Sequence, residues 1–199
     1  MLITLFSLIL VLFVTNWLKK LAIGCQTDNS IMTNTVIKKS ISLIGMAGAG
    51  KSTIGRKLAN FLKFDLIDSD QLIETNQKKF LQEVLVDNGI QEFKKIEESA
   101  ILSVKFNQIV LATGGSAIFS KKAMNHIKSN SSVIYLEVSF EDIMSRIPDF
   151  SSRGFIKETD QTMKQAFSER ESIYREFADH IVTNNKDLES CFNKILKVI

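Results

Sequence analysis

A chain of 199 residues, 45% hydrophobic and 24% charged, is sized for one compact α/β domain with little left for a second. Its 25 basic and 22 acidic residues leave a net charge of +3, too mild for a nucleic-acid surface, and no basic run supplies one. Two histidines and two widely spaced cysteines, Cys25 and Cys191, argue against a histidine-based triad, a zinc site or a disulfide framework, and for a reducing compartment.

Residues 1–18, MLITLFSLILVLFVTNWL, carry no charged side chain, and Lys19 and Lys20 follow. That length sits at the lower limit of ~18 residues for a membrane span. The basic n-region of a secretory signal is missing, and the positive charge lies on the C-terminal side. If the segment inserts, the remainder faces the cytoplasm. Alternatively, translation begins at Met32 and MTNTVIKK leads directly into the first strand. Both readings divide the chain into a leader, 1–31, and a domain, 32–199, and the expected location is cytoplasmic either way.

From Lys38 onward strands alternate with helices. Strands are expected at 40–44, 64–67, 108–112, 132–136 and 180–183. Helices are expected after the first glycine loop to Leu62, over 70–75, 81–88, 90–105 and 140–147, from 161 to 178, and at the C-terminus. There Leu188, Cys191, Phe192, Ile195, Leu196 and Ile199 share a face. Residues 148–160 are polar and irregular, the composition of a mobile loop. This alternation predicts an α/β fold with a parallel sheet between helices.

The segment Gly45-Met-Ala-Gly-Ala-Gly-Lys-Ser52 matches G-x-x-x-x-G-K-[ST], between an expected strand and an expected helix. Glycines let the backbone turn its N–H groups inward around phosphates, and a helix N-terminus favours the same charge. Lys51 is then placed for the β/γ phosphates and Ser52 for Mg²⁺. Two carboxylates, Asp68 and Asp70, follow the second strand, at the strand end where open α/β sheets bind ligands. One can hold hydrated metal while the other faces an acceptor hydroxyl; helix N-capping is their ordinary alternative.

The run GMAGAGKSTIGRKLA followed by LIDSDQLIE resembles the opening of shikimate kinases. The likeness continues in family order through Phe93-Lys-Lys-Ile-Glu97, Leu111-Ala-Thr-Gly-Gly-Ser116, Val133-Ile-Tyr-Leu136, Arg146, Arg153, Glu169-Arg170, Tyr174 and Ala178-Asp179, and so spans residues 38–199. It implies a P-loop NTPase three-layer sandwich like that of nucleoside-monophosphate kinases, with a mobile lid, acting as a monomer on ATP and shikimate with Mg²⁺. Gly48, Ala49, Gly50, Lys51, Ser52 and Thr53 would hold ATP, with Arg146 beside adenine and Arg153 closing from the lid. Asp68 and Ser52 would serve the metal. Asp70, Lys94, Gly114, Gly115 and Arg170 would take the acceptor, Arg170 gripping its carboxylate, and Lys51, Asp70 and Arg153 would carry catalysis.

Three positions depart from the family pattern. Lys94 stands for the arginine of Phe-Arg-x-x-Glu and keeps the charge without the planar fork. Ser116 replaces the third glycine of Gly-Gly-Gly, and Gly154 replaces the proline of the lid's Arg-Pro. Two other readings of the chain follow. A gluconate kinase would carry a histidine after its acidic motif, where this chain has Gln71-Leu72. A membrane-tethered, weakened nucleotide-binding module would be expected to lose Lys51, Ser52, Asp68 and Arg153, which are all present.

Overall fold

The computed structural model describes residues 40–147, 156–157 and 160–199. Five strands form one wholly parallel sheet: β1 (Ser40–Ile44), β2 (Asp65–Asp68), β3 (Ile109–Ala112), β4 (Ser131–Glu137) and β5 (His180–Thr183), in the order β2-β3-β1-β4-β5. Seven helices are described: α1 (Lys51–Leu62), α2 (Ser69–Gln77), α3 (Leu81–Leu102), α4 (Lys121–Asn130), α5 (Phe140–Arg146), α6 (Met163–Phe177) and α7 (Leu188–Ile195). A short 3₁₀ turn covers Ala117–Phe119.

Parallel neighbours need crossovers, and right-handed crossovers decide which face each helix covers. From β1 the chain crosses β3 to reach β2; from β3 it crosses back over β1 to β4. These opposite directions put α1 on one face and α4 on the other. Contacts agree: α1 packs on β3 and on α7, while α3 packs on α4, and both α4 and α6 pack on β4. The result is the expected three-layer α/β sandwich.

β1 reads SISLI and is buried at all five positions, with β3 and β4 paired on its two edges. Its apolar side chains join Leu111, Val133, Ile134 and Leu136 in the main core. A second, smaller cluster lies under α2 and α3 and comprises Ile73, Leu81, Val84, Phe93, Ala100 and Ile156. Within α3, Gly89 leaves helical geometry at φ 73, ψ 168, at the expected break between 81–88 and 90–105.

One helix was not expected. α4, KKAMNHIKSN, buries only Ala123, Met124 and Ile127, so its sequence carries little periodic apolar signal. Its start was nevertheless marked: the Ser120 hydroxyl accepts from Ala123 N at 3.0 Å. The leader 1–31 and positions 148–155, 158 and 159 of the expected lid loop, including Arg153 and Gly154, lie outside the described residues. No helix among the described residues is long and apolar enough to cross a membrane.

Candidate active site

The phosphate loop leaves the C-terminal end of the central strand. Gly48 and Gly50 take φ 79 and φ 89, backbone that L side chains rarely adopt. A Cβ at Gly48 would lie 2.7 Å from Ile147 Cδ1. Ala49 is fully buried, and its carbonyl accepts from Asn184 Nδ2 at 2.9 Å. Arg146, the last residue of α5, donates to Asn184 O at 2.6 Å and to Gly48 O at 3.5 Å. Arg146 thus ties the phosphate loop to the segment that follows β5. Asn184 went unnoticed in the sequence, although it directly follows a strand and so sits at the sheet's ligand-binding edge.

Lys51 is buried. Its ammonium donates to Gly45 O at 2.8 Å and Met46 O at 2.7 Å, which fixes the charge at the mouth of the loop. Ser52 and Thr53 are exposed and line the same recess. The Ser52 hydroxyl donates to Asp68 Oδ2 at 2.6 Å. The other oxygen, Asp68 Oδ1, accepts from Asp70 N at 3.1 Å, so Asp68 caps α2 and Asp70 does not.

Together Ser52 and Asp68 offer two hard oxygen donors. Among the described residues no group of three or more His, Cys, Asp or Glu side chains is placed to hold a metal ion. A site with one carboxylate and one hydroxyl suits Mg²⁺, which takes its remaining ligands from phosphates and water.

A second recess opens beside the first, lined by Met46, Phe93, Glu97, Ser116, Ile156 and Arg170 among others. Ala47, Asp70 and Gly115 line both recesses. Gly114 has no room for a side chain: a Cβ there would lie 2.3 Å from Glu97 Oε1 and 2.6 Å from Asp70 Oδ1. Two carboxyl groups therefore converge over one glycine. Gly114 N is held in turn by the buried Ser69 hydroxyl at 2.7 Å.

Glu97 is buried, and desolvation pushes its carboxyl up to about 8, with the nearby Asp70 charge acting the same way. The Ser116 hydroxyl, Lys51 and Arg170 oppose that rise without cancelling it. Arg170 is 2% exposed; it donates to Ala166 O at 3.0 Å and to Ile156 O. Its burial weakens the preference for the charged form. The Tyr174 hydroxyl donates to Gly115 O at 2.6 Å, and burial keeps that phenol protonated.

Lys94 is half-buried with its ammonium 4.9 Å from the Phe119 ring centroid. Arg170 presents its guanidinium carbon 5.0 Å from the same ring. The two expected acceptor-binding cations thus share one aromatic side chain, whose part was not visible in the sequence. Lys94 itself is not among the residues lining the recess.

A family model for shikimate kinase matches residues 47–199. A shikimate kinase of Francisella tularensis subsp. holarctica is 39% identical over 163 residues, covering 79% of this chain and 92% of that protein. One from Bacillus cereus is 31% identical over 162 residues, covering 81% and 98%. Among solved structures, shikimate kinase from Acinetobacter baumannii in complex with shikimate superposes with a TM-score of 0.73 at 28% identity, covering 80% of this chain and 92% of that one. Shikimate kinase from Aquifex aeolicus gives 0.70 at 30% identity, covering 79% and 94%. The family model and the curated relatives agree, and the chain belongs to the shikimate kinase family.

Proposed function

We propose that this chain transfers the γ-phosphoryl group of ATP to the 3-hydroxyl of shikimate, with Mg²⁺ as cofactor. The observation that carries the proposal is the junction of the two recesses at Asp70: a nucleotide in one and an acceptor in the other would meet beside a carboxylate. Gly48, Ala49, Gly50, Ser52 and Thr53 hold the phosphates from the loop and helix side, and Arg146 flanks the nucleotide. Ser52 and Asp68 are the residues that would hold the metal, which when bound neutralises charge on the β and γ phosphates.

On the acceptor side, Arg170 and Lys94 supply the positive charge that a substrate carboxylate needs. Asp70 takes the proton from the hydroxyl as its oxygen attacks the γ-phosphorus and ADP departs. Lys51 contributes a fixed charge whose attraction grows as negative charge builds on the leaving oxygen. Burial favours the protonated form of Glu97, which would spare Asp70 and an anionic acceptor a second negative charge. Lid closure by Arg153, a monomeric state, a cytoplasmic location and a domain boundary near Met32 complete the reading. An ADP-release assay with shikimate, quinate and gluconate tests it. Release should depend on shikimate; equal or better turnover of quinate or gluconate would assign a different acceptor.

A further inference from the structure

Ser116 precedes the 3₁₀ turn, the position from which a serine hydroxyl ordinarily caps backbone N–H groups, yet its side chain makes no capping bond. Its backbone, φ −102 and ψ −4, is open to any residue, so no conformational demand explains it either. The hydroxyl is spent on Glu97, donating to Oε2 at 2.7 Å with both residues buried.

Glu97 has another candidate partner. Lys94 lies three residues earlier on α3 and shares its face. Its ammonium is drawn to the Phe119 ring instead, and the charges acting on Glu97 are those of Asp70, Lys51 and Arg170. Among the described residues, the hydrogen bond to the buried carboxyl is the one from Ser116.

Resting on the shikimate kinase reading, the geometry points to Ser116 as a positioning residue of the acceptor site: its hydroxyl holds the Glu97 carboxyl so that Oε1 faces Asp70 over Gly114, a task the Lys94 ammonium does not perform. The residue that departs from the family's third glycine is then a compensating part of the pocket, and it acts on the acceptor through Glu97. Groups facing Glu97 are Asp70 from α2, Lys51 from α1, and Arg170 and Tyr174 from α6. The Ser116 bond opposes the upward push of burial, so its loss should move the Glu97 titration higher still.

Three full-length proteins decide the matter: the unsubstituted chain, Ser116→Ala and Ser116→Thr. A buried hydrogen bond of this kind is worth roughly a fivefold change in binding. Ser116→Ala should raise the KM for shikimate by about that factor, leave the KM for ATP within about twofold, and move the limb of the pH profile near 8 upward. Ser116→Thr keeps a hydroxyl and should restore both readouts. An unchanged shikimate KM in Ser116→Ala overturns the assignment, as does an equal rise in both KM values or a folded Ser116→Thr that behaves like the alanine. If Ser116→Thr does not fold, the alanine comparison decides alone. Failure of the unsubstituted chain with shikimate would instead count against the substrate; the same KM comparison then uses whichever hydroxy acid the chain phosphorylates.

Discussion

The two recesses that meet at Asp70 are built from different materials. The recess proposed for the nucleotide is largely backbone: Gly48 and Gly50 in left-handed conformation, carbonyls holding Lys51, and a loop steadied by Asn184 and Arg146. The recess proposed for the acceptor is largely side chain: Glu97, Ser116 and Arg170, with Lys94 and the Phe119 ring beside them. A backbone cradle admits few sequence solutions, whereas a side-chain pocket can be rebuilt residue by residue. Of the two described departures from the family pattern, Ser116 lines the recess proposed for the acceptor, and Lys94 meets the Phe119 ring that it shares with Arg170.

The largest effect should come from the nucleotide side. Lys51→Ala removes the loop's fixed charge and should lower turnover by about 10²–10³-fold, by analogy with losing one transition-state donor. Because Lys51 is buried and ties two carbonyls, the variant should also melt at a lower temperature than the parent. Turnover near the native rate would break the distinction at its root.

Gly114→Ala tests the acceptor side by filling the space under two carboxyl groups. It should cost about 1–3 kcal/mol of stability by overpacking and raise the shikimate KM at least tenfold, with little change for ATP. Gly89→Ala is the control: nothing lies within 4 Å of its Cβ, and the cost is the backbone of φ 73, ψ 168, about 1–3 kcal/mol of stability with both KM values unchanged.

Glu97 predicts a pH signature. Its folded value, near 8, stands above the ordinary 4.5, so the unfolded chain releases this proton first as pH rises. The group's contribution to stability is therefore complete below about 4.5 and is lost as pH rises through about 8, with a slope of at most ~1.4 kcal/mol per pH unit. Urea unfolding at pH 5 and pH 8 should show Glu97→Gln losing less stability over that interval than the parent. Equal losses would mean that Glu97 is ionised in the folded protein.

Smaller shifts are expected at Lys94. A charged hydrogen bond is worth ~1.5–3 kcal/mol, of which lysine keeps part. Lys94→Ala should raise the shikimate KM and Lys94→Arg should lower it several-fold, with ATP unaffected; two silent variants would make Lys94 a partner of Phe119 and nothing more. Smallest of all, a chain starting at Met32 should match the full chain within about twofold in turnover and both KM values.

Legibility in the sequence followed the same division. The phosphate loop could be read because glycine spacing between a strand and a helix encodes backbone geometry directly. The strand order could not, since pairing is settled between distant segments, but the parallel sheet followed from the alternation of elements. α4 was overlooked because three buried side chains in ten polar-looking residues give too weak a period. On the acceptor side, the sequence offered Asp70, Lys94 and Arg170 as separate charges. It did not say that a phenylalanine gathers two of them, or that a serine completes a glutamate, because such meetings depend on how α3, the 3₁₀ turn and α6 pack.

The division of the interior into two clusters has a consequence for how the molecule opens. β1 is bonded on both edges and buried along its whole length, so its amides should exchange with solvent only when the domain unfolds globally. The six buried residues of the smaller cluster, beneath α2 and α3, include none from that strand. Deuterium should therefore enter the acceptor-side helices through a partial opening of lower free energy, and a bound acceptor should slow that entry while leaving β1 as slow as before. On the proposed reading, the phosphate loop would stay formed beside an acceptor site that opens and closes on its own timescale.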